Sequence, residues 1–283
     1  MSETAYTPDT HVPNGNDTST PSAAPARKGT KALVIALAAA LVVIIALVAY
    51  IISLNTSSSN APAGSAATAE NQDSAASSGS HSSAAEAYTD PQAIETLKAL
   101  QERIAESPLA EGAVDAPVVM IEFMDFSCPV CAQWAAHTYP ALQKYVKEGT
   151  LRIEIHPWVI FPDYNSDIPA RGLYAAGKQG KTAEFYATVA PLSAGEHKQW
   201  DEAGVLALAE QAGVPDLDQF TADMNSDEAR EEIDRSQTIA TGIGFNGTPA
   251  FVINNRIISG ADSAEVFAAT IEAAAADVAS GAF

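Results

Sequence analysis

Cysteine is scarce in this chain of 283 residues: there are two, Cys128 and Cys131, and they stand in a single Cys-Pro-Val-Cys stretch. A small secreted scaffold stapled by several disulfides is therefore excluded. A four-ligand zinc site needs two further ligands. The five histidines, His11, His81, His137, His156 and His197, show no ligand-pair spacing that would supply them. Basic residues are also few, 15 against 35 acidic ones, for a net charge of −20. Glu3, Asp9 and Asp17 balance Arg27, Lys28 and Lys31, so the excess belongs to the later chain. Such a surface repels phosphate backbones and sets nucleic-acid binding aside.

Charge is missing altogether from one run, Ala32 to Ile52. Its length is about that needed to cross a bilayer as a helix, and Tyr50 falls near one interface, where aromatic residues are favoured. Arg27, Lys28 and Lys31 precede it, and no lysine or arginine follows until Lys98. That asymmetry predicts a cytoplasmic N-terminus and an extracytoplasmic remainder, a single pass in the cell membrane. The apolar core is longer than that of a cleaved signal peptide and its leader is long, which favours an uncleaved signal-anchor.

Residues 1–31 read as a disordered cytoplasmic tail, 32–52 as the transmembrane helix, and 53–88 as a flexible linker rich in serine and alanine. A linker of that length spans on the order of 30–35 Å. The folded domain is expected over 89–283. Asp90-Pro91 opens it as a helix cap with proline in the first turn. Ile94, Leu97, Leu100 and Ile104 then recur at helical spacing up to Ser107-Pro108.

Val118 to Met124 reads as a strand, 128–147 as a helix kinked near Pro140, and the alternation from Leu151 to His156 as a second strand. From 163 to about 242 the pattern is helical throughout. Ala250–Ile253 and Arg256–Ser259, joined by Asn254-Asn255, form a hairpin signal, and a last helix follows from about Ser263.

The two cysteines thus lie at a strand-to-helix junction. There the free N–H groups and the helix dipole favour a thiolate at Cys128. A depressed pKa makes Cys128 the attacking sulfur and a good leaving group. Cys131, one turn further on, is expected to be less exposed and to resolve a mixed disulfide.

The run from Pro117 to Cys131, PVVMIEFMDFSCPVC, resembles the DsbA-like branch of the thioredoxin superfamily, of the membrane-anchored Gram-positive type. Gly247-Thr248-Pro249-Ala250-Phe251 resembles that family's cis-proline loop. The element order is similar to an α/β thioredoxin fold with a helical insertion at about 163–242, and the resemblance covers about 112–280.

The resemblance implies a cis Pro249 packed beside the cysteines. It implies a Thr248 backbone open to a substrate peptide, with the Thr248 hydroxyl near the thiolate. It implies that Glu122, which interrupts the apolar strand, accepts the proton of the resolving cysteine; burial of such a carboxylate raises its pKa. One departure stands out. Val130 occupies the place where the family's best-known oxidases carry histidine, so Cys128 should be less acidic and the couple less oxidising. His137 falls on the far side of a regular helix and reads as structural or exposed. Asp125 reads as a loop residue, Trp134 as core or groove lining, and Trp158, Tyr174 and Tyr186 as packing.

The function this implies is an extracytoplasmic thiol:disulfide oxidoreductase that forms disulfides in exported proteins with free thiols. It needs no cofactor or metal of its own, and a membrane reoxidant of the DsbB or VKOR type is implied. The same residues could serve a disulfide isomerase or reductase. A thiol-based metal carrier and a peptide-binding chaperone are the other classes the motif admits.

Overall fold

The computed structural model describes residues 83–283. The tail expected over 1–31, the transmembrane helix expected over 32–52, and all but the end of the linker expected over 53–88 lie outside the described residues. Among the described residues no helix is long and apolar enough to cross a membrane.

The described part is a five-stranded mixed sheet with helices on both faces. The strands are β1 (Ala110–Glu111), β2 (Val118–Met124), β3 (Leu151–Pro157), β4 (Ala250–Ile253) and β5 (Arg256–Ser259), in the spatial order β1-β3-β2-β4-β5. β2 and β3 pair in parallel from Val118↔Leu151 to Met124↔Pro157, and every other neighbour is antiparallel. A parallel pair needs a crossover. Helices α2 (Pro129–His137) and α3 (Tyr139–Lys147) supply it.

Side chains alternate across a strand, and β2 buries both of its faces. Val118, Met120 and Met124 join the larger apolar layer, with Cys131, Trp134, Leu142 and Tyr186. Val119, Ile121 and Phe123 join a second layer with Leu97, Leu100, Ile239 and Ile243. Between β3 and β4 the chain is helical: α4 (Asp167–Gly177), α5 (Thr182–Val189), α6 (Glu202–Gln211), α7 (Leu217–Met224) and α8 (Asp227–Ile243). The hairpin β4–β5 turns at Asn254, whose φ of 50° is one that asparagine tolerates. Its buried amide accepts from Val119 N (2.9 Å) and donates to Pro117 O (3.1 Å), tying the turn to the start of β2. Helix α9 (Ala264–Ser280) closes the fold.

Three expectations are corrected. The first helix, α1 (Pro91–Leu100), is capped by Asp90, which accepts from Ala93 N at 2.9 Å, but it stops well short of Ser107. The Glu154 carboxylate takes the backbone N–H groups of Glu102 and Arg103, both at 2.9 Å, and Arg152 Nη2 donates to Ile104 O at 2.6 Å. These bonds replace the next helical turn, and Ile104 is left 54% exposed. The helix after the cysteines breaks at Thr138 rather than bending at Pro140, because a proline is tolerated in a first turn but not further in. The linker expected to reach 88 is docked at its end. Ala85 N donates to Thr270 Oγ1 (2.9 Å), Ala87 bridges to Arg256, and Tyr88 N donates to Asn255 O (2.8 Å).

Candidate active site

Cys128 is the N-cap of α2. Its sulfur accepts from Cys131 N at 3.4 Å and its own N–H is taken by Asp125 O at 3.0 Å. The position places the sulfur against the open first turn of a helix, where negative charge is stabilised. The Cys128 thiol is lowered to about 6, first by the hydrogen bond from the Cys131 thiol, then, against the cost of burial, by the Thr248 hydroxyl and by backbone N–H groups of Cys131 and Val130. The Cys131 thiol is pushed well up, chiefly by burial and then by donating to Cys128. Cys128 is 4% exposed and Cys131 is fully buried, so the two sulfurs of one motif are chemically unequal.

The β2–β4 register explains why the proline loop meets this pair. Phe123 lies opposite Ala250. Continuing the antiparallel ladder carries Pro249 and Thr248 past Met124 towards Cys128. The Thr248–Pro249 peptide is cis, as the resemblance implies, and the Cys128 thiol lies 3.5 Å from Thr248 O. The Thr248 hydroxyl is buried, makes no ordinary hydrogen bond, and favours the charged form of both sulfurs. Val130 is 44% exposed at the rim.

Glu122, expected to accept the proton of the resolving cysteine, is fully buried on β2. It shares its face of the strand with Met120 and Met124 and so points into the layer that holds Cys131. Burial raises its carboxyl to about 8, against the opposing hydrogen bond from Tyr186. Tyr186 Oη donates to Glu122 Oε1 at 2.6 Å. Tyr186 was expected only to pack, and this contact gives it a polar role as well.

Several further residues hold the turn before Cys128. The Asp125 carboxylate, expected to be an ordinary loop group, is buried. It accepts from Ser127 N (2.6 Å), Ile160 N (2.8 Å), Phe161 N (3.0 Å) and Ser166 Oγ (2.9 Å). The segment after α5 closes the other side. Ser193 Oγ donates to Phe126 O (2.5 Å) and Trp200 Nε1 to Ser127 Oγ (3.1 Å). Ser127 Oγ donates in turn to Lys198 O (3.0 Å). His197 Nδ1 lies 2.8 Å from Ser127 O, a contact that requires the proton on that nitrogen, and its ring stacks on Tyr164.

Of these residues only Asp125 left a trace in the sequence, an Asp two positions before a Ser at the end of a strand, which is an Asx-turn pattern. Ser193, His197 and Trp200 lie some seventy positions away, and no local signal links them to the motif. His137 is exposed and Trp134 is core, packed on Phe251 at 4.7 Å between ring centroids.

A sulfur stabilised as thiolate and a buried partner thiol one turn on, with a buried carboxyl in the same layer, are parts suited to thiol–disulfide exchange. The thioredoxin family profile matches residues 104–273, and the chain belongs to that family. Within it the fold is that of the DsbA-like structures, and the relatives similar in sequence are named for disulfide bond formation.

Among its relatives is the probable disulfide bond formation protein D of Bacillus cereus, 27% identical over 153 residues, which are 52% of this chain and 69% of the relative. The oxidised BdbD of Bacillus subtilis superposes with a TM-score of 0.54 at 18% identity, over 60% of this chain and 94% of that one. Wolbachia pipientis alpha-DsbA1 superposes at 0.53 and 19% identity, over 61% and 93%. At those identities the two structures speak for the fold alone.

Proposed function

We propose that the chain is a disulfide-forming oxidoreductase in which Cys128 is the sulfur that exchanges with substrate. The observation that carries the reading is the inequality of the two thiols, Cys128 lowered to about 6 and Cys131 pushed up by burial. In the oxidised enzyme a substrate thiolate attacks Cys128, the Cys128–Cys131 bond breaks, and Cys131 leaves as a thiolate. A second substrate thiolate then attacks the substrate sulfur of the mixed disulfide and releases Cys128. The substrate loses two electrons and gains a disulfide, and the enzyme gains two thiols. A thiolate stabilised at Cys128 favours this reduced product and hence the oxidising direction.

Glu122 is the proton partner of Cys131. It gives a proton as Cys131 leaves and takes one when Cys131 attacks in reverse. The backbone at Thr248, next to Pro249, pairs with the substrate as an added strand. The substrates are exported proteins with free thiols, since disulfides persist in that compartment. The relatives named as disulfide bond formation proteins support the same direction. The run 32–52 anchors the domain outside the cell membrane, with 53–82 as its tether. A membrane reoxidant of the DsbB or VKOR type restores the disulfide.

The test is oxidative refolding of a reduced two-cysteine substrate with glutathione disulfide as terminal oxidant. Wild type accelerates it, while Cys128→Ser gives only the uncatalysed rate. Full turnover by Cys128→Ser would overturn the assignment.

A further inference from the structure

Cys131 and Glu122 are both fully buried. Once a substrate sulfur is bonded to Cys128, the substrate covers the side of the site that faces solvent. A buried carboxyl that exchanges one proton per cycle must still trade it with water before the next cycle. The apolar layer around Glu122 contains two hydroxyls that packing alone does not call for.

Tyr186 donates to Glu122 Oε1 at 2.6 Å. The Tyr139 ring packs against Tyr186 with centroids 4.7 Å apart. The Tyr139 hydroxyl is buried and makes no ordinary hydrogen bond, and Glu122 Oε2 is in the same condition. A buried hydroxyl without a partner costs about 1–3 kcal/mol, and phenylalanine would fill the same space without that cost. Tyr139 lies one turn before Gln143 on the same face of α3. Glu111 accepts from Gln143 Nε2 at 3.1 Å and, after burial, raises the pKa of the Tyr139 hydroxyl. It lines a surface cleft with Glu106, Lys178 and Glu184, and Glu184 is paired with Lys181 at 2.8 Å. None of the residues lining that cleft belongs to the Cys-Pro-Val-Cys helix or to the Thr248–Pro249 loop.

We propose that Tyr186, Tyr139 and Glu111 form a proton route that connects Glu122 to this cleft, so that Cys131 exchanges its proton with water while a substrate occupies the front of the site. The route rests on Glu122 being the proton partner of Cys131.

In the oxidising direction Glu122 protonates the Cys131 thiolate and becomes a carboxylate. The Tyr186 hydroxyl proton moves to Glu122, the Tyr139 proton to Tyr186 and the Glu111 carboxyl proton to Tyr139. Glu111 then takes a proton from water. Each tyrosine gives one proton and gains one, so neither is ionised at the end. Transfer between the two tyrosines takes a small ring movement or one intervening water. In the reverse direction the same steps run from Cys131 to the cleft.

The experiment follows resolution of the glutathione mixed disulfide of Cys128 in the full-length chain, as release of glutathione, at low and high imidazole and in H2O and D2O. Wild type is expected to be insensitive to imidazole. Glu111→Gln and Tyr139→Phe are expected to slow release by about tenfold at low buffer, within the range of general acid–base effects. Glu111→Gln should recover in high imidazole, which replaces the lost surface group. A purely structural loss would not respond to buffer or carry a larger solvent isotope effect. Tyr186→Phe should slow release without rescue, because imidazole does not reach the buried carboxyl.

If Glu111→Gln and Tyr139→Phe match wild type while Glu122→Gln is slow, the route is wrong and the role of Glu122 stands. If Glu111→Gln is slow but unrescued, the route is also wrong. If Glu122→Gln itself resolves at the wild-type rate, both the route and the role of Glu122 fall.

Discussion

Trp200 donates its indole N–H to the hydroxyl of Ser127, the residue next to Cys128, across 3.1 Å and more than seventy positions of sequence. The bond fastens the helical segment between β3 and β4 to the turn that presents the reactive sulfur. Ser127 N–H, carbonyl and hydroxyl are all engaged, by Asp125, His197, Lys198 and Trp200. The helix start that stabilises the thiolate is therefore held from both sides.

Trp200→Phe keeps the ring and removes the donor. It should cost about 1 kcal/mol of stability, the net worth of one such bond, and raise the midpoint of Cys128 ionisation by loosening the turn. Denaturant unfolding and thiolate absorbance measure the two effects. No change in either would mean that the bond is incidental.

The Cys128 thiolate should titrate near pH 6 when followed by ultraviolet absorbance of the reduced protein. Cys131→Ala removes the largest cause of the lowering and should move the midpoint upward. Thr248→Val should move it upward by less. A midpoint that stays put in Cys131→Ala would show that the helix start alone sets the acidity.

Glu122 carries a folded-state value of about 8, above its unfolded value near 4.5. Between those limits the unfolded chain releases a proton that the folded protein retains, so stability falls as pH rises. The slope reaches at most about 1.4 kcal/mol per pH unit. Glu122→Gln retains an acceptor for Tyr186 and does not ionise. Its stability relative to wild type should rise steadily from pH 5 to pH 8 in urea titrations, and a constant difference would place the ionisation elsewhere.

Much of this was legible beforehand, and what was missed shares a physical cause. The Asp90 cap, the Asn254 turn and the Cys-Pro-Val-Cys junction are written in adjacent residues, so the strands and most helices could be read locally. The end of α1 could not. Ile104 continues the helical spacing, yet Glu154, some fifty positions away, takes the N–H groups that another turn would use. β1 is two residues long and exists by pairing with β3. Tyr186, His197 and Trp200 acquire their site contacts when the helical segment folds back over β2. Glu122 was legible because a carboxylate inside an apolar strand is conspicuous.

Val130 stands in the exposed first turn of α2, beside the thiolate. Val130→His adds a donor, and below neutral pH a positive charge, at that position. The reduced form gains stability, and the reduction potential should rise by about 30 mV for each tenfold gain in the equilibrium constant. Equilibration with glutathione reads this directly. A lower potential would contradict the electrostatic account of the motif.

The central claim is that Cys128 attacks and Cys131 resolves. It is tested most directly by trapping, with each single-cysteine variant incubated with a disulfide-bonded peptide and the adducts counted by intact mass. Cys131→Ala should accumulate one mixed disulfide per chain at Cys128, while Cys128→Ala, whose remaining thiol is fully buried, should accumulate almost none. Equal trapping by the two variants, or trapping only through Cys131, would contradict the account.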